Sequence, residues 1–440
     1  MRPQRPLRRL CHGLALSLAM SGAHSESLME IYDLAVGNDP AIQRAEANHA
    51  AALEALPQST ANFLPSLNLS ASKSESSQTV TKSIFGSTGS SNFSNTNYSL
   101  NLNLPLYRHE NYVARRLAKS TVSRADAEYE AARQDLLLRV AEAYFSVLGR
   151  RDDLEFARAE KMAIKRQLEQ TRQRFDVGLV AITDVHESQA RYDLTVAEEI
   201  LARNRLDNSI EVLRTLTGTY NEELDPLNET FSLVHPDPED IEQWTRTALK
   251  QNPSLVAALA AVDEARENVA QQRSGHYPTL DLSASSSYNE SGGLFASTTE
   301  NTSIGLNFNL PIYAGGRTSS QVRQSLHFLE AARQSLEEAR RNTQRQVRDA
   351  YLGVISGISR VKALKQALLS NQSALRAAEA GYEVGTRTTV DVLLARRNLF
   401  SAQRNYAQSR YDYILNTLRL KQAAGMLDVQ SLQAINNWLH

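Results

Sequence analysis

The chain has 440 residues, of which 22% are charged, and a mean hydropathy of −0.40, values that exclude a bundle of membrane-spanning helices. Its 48 Lys and Arg are matched by 49 Asp and Glu, so there is no basic excess of the kind that holds nucleic acid. Cys11 is the only cysteine, which excludes a disulfide framework and a cysteine-built metal site.

The first 25 residues read as a cleavable export signal. Arg2, Arg5, Arg8 and Arg9 form a basic start, Leu14 to Met20 an apolar core, and Ser21, Gly22, Ala23 and Ser25 a small-residue cleavage region near Ala23. Cys11 precedes that core and cannot be a lipid-acceptor cysteine at the cleavage site. Removing the four arginines leaves 44 basic against 49 acidic residues, and no thiol.

The rest of the chain is written twice. Asn38-Asp39-Pro40 returns as Gln251-Asn252-Pro253, and Phe63-Leu64-Pro65 as His276-Tyr277-Pro278, both 213 residues later. Leu104-Pro105-Leu106-Tyr107 returns as Leu310-Pro311-Ile312-Tyr313 after 206 residues, and Tyr144, Asp184 and Leu216-Thr217-Gly218 return as Tyr351, Asp391 and Ala423-Ala424-Gly425 after 207. The shift falls in a Ser/Asn/Gly-rich stretch where loops change length easily. Two copies are fewer than a solenoid needs, so the reading is one pseudo-symmetric domain. Repeat 1 spans 26–225, a linker 226–239, repeat 2 240–425, and a C-terminal tail 426–440. The proline-rich joining stretch from Asn221 to Asp240 is expected on the outside.

Each repeat opens with an Ala/Glu/Gln-rich helix, 27–60 or 240–273, stopped at Pro65 or Pro278. Strands are expected at 65–80 and 92–106, and at 278–290 and 300–312. Leu67, Leu69 and Ala71 alternate with Ser and Asn, as do Leu100, Leu102 and Leu104, Leu280 and Leu282, and Ile304, Leu306 and Phe308. The connecting stretches 73–98 and 286–301, which overlap the strand ends, are Ser/Thr/Asn/Gly-rich and read as exposed loops. No proline then occurs from Tyr107 to Asp225 or from Ile312 to His440. A helix from Glu110 to Val177 would be roughly 100 Å long at ~1.5 Å per residue, wider than any globular core, so it requires coiled-coil partners. Each long helix ends at a corner, 178–183 or 385–389, where a glycine closes one helix and Thr or Asp caps the next.

Four half-apolar strands cannot seal themselves. Transmembrane barrels begin at about eight strands, so two chains or three would satisfy the requirement, with an Asn/Ser face lining a water-filled lumen. A small soluble sheet packed on the helices is the alternative. The scattered histidines form no HExxH motif, and Gly86-Ser87-Thr88-Gly89 lacks the lysine of a phosphate loop, so no enzyme is expected.

Two stretches carry a resemblance. Arg174-Phe175-Asp176-Val177-Gly178-Leu179-Val180-Ala181-Ile182-Thr183-Asp184-Val185 and Gly381-Tyr382 with Val384-Gly385-Thr386-Arg387-Thr388 and Val390-Asp391-Val392 resemble the corners of the TolC family of outer-membrane export channels. The similarity covers essentially the whole mature chain. It implies an α+β membrane protein in which long antiparallel helical hairpins form a tapered α-helical barrel across the periplasm. Four strands per chain are closed by trimerisation into a transmembrane β-barrel.

The resemblance also implies partners: a homotrimer in outer-membrane lipid, a periplasmic adaptor (membrane fusion) protein, and an inner-membrane ABC or proton-driven translocase. No cofactor, metal or nucleic acid is implied. Tyr382 and Arg387 would bond Asp184 and Thr183 to hold the periplasmic end shut, with Gln167 and Glu379 as a second pair. Asp391 would give a lumenal acidic ring, single because Leu394 stands where the family places a second acid. The implied function is a passive exit duct for type I protein secretion, with small-molecule efflux as a further cargo class. A dedicated drug-efflux duct is one alternative, and a soluble periplasmic coiled-coil adaptor or scaffold another. An Asn/Ser-lined wall does not distinguish protein, peptide and drug cargo.

Overall fold

The computed structural model describes residues 25–82, 89–221, 223–228, 231–292 and 296–439. The export signal before Ser25, Cys11 and most of the Gly86–Gly89 stretch lie outside the described residues. Repeat 1 contains α1 (Leu28–Asn38), α2 (Pro40–Leu53), α3 (Ala55–Ala61), β1 (Ser66–Val80), β2 (Gly89–Arg108), α4 (His109–Asp176) and α5 (Ile182–Thr217). Repeat 2 contains α6 (Ile241–Gln251), α7 (Pro253–Arg273), β3 (Thr279–Ser291), β4 (Ser297–Asn309), α8 (Arg317–Glu383) and α9 (Thr389–Ala423), and α10 (Val429–Asn436) follows.

The expected opening helices are broken rather than continuous. Asp39 accepts the Ala41 N–H (3.1 Å) as N-cap of α2, and Asn252 accepts the Leu255 N–H (3.1 Å) as N-cap of α7. In both, a proline at the first helical position disfavours helical backbone in the residue before it and supplies no N–H, so one helix stops and another starts. The Asp39 carboxylate is buried and also takes Arg139 from α4 (2.6 Å). Burial pushes its pKa up, but the Arg139 and Ala41 hydrogen bonds outweigh this and hold it below the ordinary carboxylate range.

The long helices run as antiparallel pairs, α4 with α5 and α8 with α9, while α7 packs against α4 and α8 and joins the two hairpins. The main apolar core lies midway along α4 and α8, where the C-terminal parts of α5 and α9 meet them. Tyr144, Phe145 and Leu148 of α4 meet Leu213 of α5, Val354 of α8, and Tyr413, Ile414 and Leu418 of α9. Each buried Leu or Ile contributes about 2 kcal/mol. Because both repeats feed this core, neither could bury its apolar stripe alone.

One segment departs from expectation at that level. The joining stretch does not simply lie outside: Leu224 and Leu227 are buried in the core, and bridges pair Leu224 with Glu26 and Leu227 with Leu439. Tyr144 donates its hydroxyl to the Asp225 carbonyl (2.9 Å) and Tyr413 to that of Val234 (2.8 Å), which pins a loop whose own sequence carries no periodicity. The C-terminal tail is likewise ordered, since α10 buries Leu432 and Ile435 in the same core.

The strands form one antiparallel sheet in the order β1-β2-β3-β4, with β2 and β3 joining the repeats. Pairing extends beyond the apolar alternation, as far as Val80 opposite Gly89 and Ser291 opposite Ser297, so much of the stretches read as loops is strand. Backbone pairing needs no apolar face once a neighbouring strand is present. Leu67, Leu69, Leu100, Ile304, Leu306 and Phe308 project from one face, with Leu69 75% and Ile304 76% exposed. On the other face Ser70 bonds Ser99 (2.6 Å), Ser285 bonds Ser303 (2.9 Å) and Asn307 bonds Ser283 (2.8 Å). In the chain alone, β1 and β4 each have one edge without a partner strand among the described residues.

Candidate functional site

Both corners close as the glycine pattern requires. Gly178 (φ +75°) and Gly385 (φ +79°) take the left-handed conformation that ends α4 and α8. Leu179 N–H then bonds the Arg174 carbonyl (2.8 Å), and Thr386 N–H that of Gly381 (2.8 Å).

The restarts differ. Thr388 caps α9 through a reciprocal box: its hydroxyl accepts the Asp391 N–H (3.2 Å), and the Asp391 carboxylate accepts the Thr388 N–H and hydroxyl (both 2.9 Å). These bonds, the backbone one foremost, with Arg387 nearby, hold the Asp391 pKa below its usual value. At the first corner the cap position is Ala181, which offers no oxygen, and only the returning half of the box remains, Ala181 N–H to the Asp184 carboxylate (3.2 Å). Asp184 and Asp391 therefore occupy equivalent places, and Thr183 caps nothing.

Among the described residues, no hydrogen bond or ion pair joins Thr183 or Asp184 to Tyr382 or Arg387, or Gln167 to Glu379, within one chain. The Tyr382 hydroxyl accepts from Thr389 (3.4 Å), and its ring lies under Arg174 of α4, 4.6 Å from the guanidinium carbon to the ring centre. Arg387 is exposed, with Asp391 at 4.0 Å. Glu379 is held by Arg396 of its own hairpin (2.8 Å to Nη2). Gln167 is buried on α4 with its Nε2 unpartnered.

A second set of contacts ties the hairpins together and was not picked out from the sequence. Glu160 lies on the buried stripe of α4 between Ala157 and Ile164, its side chain 1% exposed. Arg191 of α5 donates to one oxygen (2.5 Å), and Arg404 of α9 to the other (3.3 Å). About two helical turns nearer the tip of α9, Arg396 donates to the Ala163 carbonyl (2.8 Å) while holding Glu379. The available signal was a carboxylate at an apolar position of the repeat, which demands a buried cationic partner.

No helix among the described residues is long and apolar enough to cross a membrane. A family profile described as "Outer membrane efflux protein" matches residues 31–219 and 244–426, one stretch per repeat. The chain is 41% identical over 429 residues to outer membrane protein TolC of Vibrio cholerae, covering 96% of each. It is 31% identical to the alkaline protease secretion protein AprF of Pseudomonas aeruginosa, covering 96% of this chain and 89% of that one. Its fold matches the Campylobacter jejuni CmeC outer membrane channel with a TM-score of 0.79 at 19% identity, over 100% of this chain and 98% of that chain. The chain belongs to the outer membrane efflux protein family, with its strands in the outer membrane and its long helices forming a tunnel that extends into the periplasm.

Proposed function

We propose that three copies of this chain close one twelve-stranded barrel and one helical tunnel, a passive exit duct without a catalytic step. The duct serves type I protein secretion and small-molecule efflux. It is completed by a periplasmic adaptor and an inner-membrane ABC or proton-driven translocase. The observation that carries this reading is the sheet itself: four strands with two open edges, an exposed Leu/Ile/Phe face and a Ser/Asn face. Pairing β4 of one copy with β1 of the next satisfies both edges and turns the Ser/Asn face toward water. The secretion reading leans on the similarity to AprF, an alkaline protease secretion protein.

The tips supply the gate. Among the described residues Tyr382 and Arg387 make no hydrogen bond or ion pair with Thr183 or Asp184 of their own chain, and Arg387 and Thr183 are exposed. Their bonds to Asp184 and Thr183 then run between neighbouring chains, with Gln167 and Glu379 as the second pair. Charge-assisted bonds of this kind hold about 1.5–3 kcal/mol each, enough to bias a closed mouth yet small enough for a docking adaptor to break. Asp391 would form a single lumenal carboxylate ring, one per chain. In planar bilayers the purified protein should pass small single-channel currents that rise several-fold in Arg387→Ser. Unchanged currents would remove Arg387 from the gate.

A further inference from the structure

The bulge between Pro105 and Tyr107 leaves Leu106 unpaired and moves Tyr107 onto the apolar sheet face, opposite Leu280. The Tyr107 ring lies 6.5 Å from that of Tyr112 in the first turn of α4, and Tyr112 meets Phe63 edge-on at 5.0 Å. The apolar face thus continues past the strands onto the helices. There it opens into a cleft of about 490 Å³ lined by Phe63, Leu64, Tyr112, Arg115, Arg116 and Lys119.

The three cations are not equivalent. Arg116 donates to Glu267 of α7 (3.0 Å). Arg115 and Lys119 have no hydrogen bond or ion pair among the described residues, and both are exposed. Four residues apart on one helix, they project from the same side. Two unneutralised cations beside an aromatic and aliphatic floor, at the rim of a lipid-contacting surface, match the chemistry of a membrane interface. Aromatic rings sit there at headgroup level, and Lys and Arg reach for phosphate.

We propose that this cleft binds the headgroup of an anionic phospholipid in the periplasmic leaflet. Arg115 and Lys119 hold the phosphate, and Phe63, Leu64 and Tyr112 cover the first acyl carbons. A zwitterionic headgroup brings its own ammonium against these cations and is disfavoured. The site ties the junction of barrel and tunnel to the bilayer.

Native mass spectrometry of the full-length protein, mixed with phosphatidylglycerol, phosphatidylethanolamine or inorganic phosphate, tests this directly. Phosphatidylglycerol should be retained roughly fivefold over phosphatidylethanolamine, a preference of the size that one or two basic residues give at an anionic surface. Arg115→Gln/Lys119→Gln should erase the preference, and each single variant should weaken it. The distant exposed pair Lys362→Gln/Lys365→Gln should keep it. Equal retention by the Arg115/Lys119 variant overturns the proposal, as does retention of inorganic phosphate without the lipid. If the double variant keeps its lipid but loses subunits, the cations serve a chain–chain contact and the lipid site is wrong. Thermal melts of the single variants separate lost binding from lost folding.

Discussion

Arg404 on α9 reaches Glu160 on α4 at 3.3 Å, while Arg191 on α5 meets the other oxygen of the same carboxylate. A single buried anion therefore couples the two hairpins of one chain. Removing it leaves Arg404 without a carboxylate partner and Arg191 with only the more distant Glu198 at 4.0 Å. Glu160→Gln should cost about 3 kcal/mol in thermal or denaturant unfolding. Arg404→Gln should cost about 1 kcal/mol, because Arg191 still neutralises Glu160. If both substitutions are silent and additive, the hairpins are not coupled through this carboxylate.

Tyr382 offers two separable groups, a hydroxyl and a ring. The ring stacks beneath Arg174, an interaction of about 0.5–1 kcal/mol at an exposed site. Tyr382→Phe keeps the ring and should raise channel conductance without altering the melting temperature. Tyr382→Ala should raise conductance and also lower the melt. Equal conductance in wild type and Tyr382→Phe would take the hydroxyl out of the gate.

Asp391 stays charged to lower pH than an ordinary carboxylate, because the Thr388 N–H and hydroxyl and nearby Arg387 favour its ionised form. A depressed folded-state value means that its stabilising contribution is present above the unfolded pKa of about 3.9. That contribution is lost as pH falls through the lower folded value. The cation preference of the channel should accordingly persist to pH 4, and Asp391→Ala should reduce it at every pH. A preference that disappears between pH 6 and 5, or one indifferent to the substitution, would place the selective charge elsewhere.

Gly425 and Gly178 share a left-handed backbone but not their surroundings. A Cβ on Gly425 would lie 2.5 Å from the Gln251 carbonyl oxygen, against the break between α6 and α7, whereas one on Gly178 meets open space. Gly178→Ala should cost only the conformational penalty of about 1–2 kcal/mol. Gly425→Ala should prevent accumulation of folded protein, measured as yield in the membrane fraction. Equal yields would mean that the α6–α7 break can shift to make room.

Local chemistry explains which features could be read from the sequence. Gly178 and Gly385 mark their corners because a left-handed residue is a local requirement, and Leu67, Leu69, Leu306 and Phe308 mark strands because one sheet face is apolar. Features set by distant partners were hidden. Leu224 and Leu227 belong to the core only because Tyr144 and Tyr413 hold the loop that carries them, or its continuation, by main-chain carbonyls. The outer halves of β1 and β2 carry no alternation; the strands expected at 65–80 and 92–106 reach into them, and pairing with the neighbouring strand carries β2 out to Gly89. The Glu160 cluster draws on α4, α5 and α9, separated by up to 244 residues, so no window of sequence contains it. At the second corner Thr388 supplied the expected cap. At the first, Ala181 stands in that place and Asp184 alone reaches back.

Four strands are too few to enclose a pore alone, so identical copies must complete it. Counting the chains in the detergent-extracted particle, by native mass spectrometry with all other components identified, tests this most directly. Three copies per particle, recovered from the membrane fraction, are predicted. A single chain that remains in aqueous solution, or a particle holding two, would contradict it.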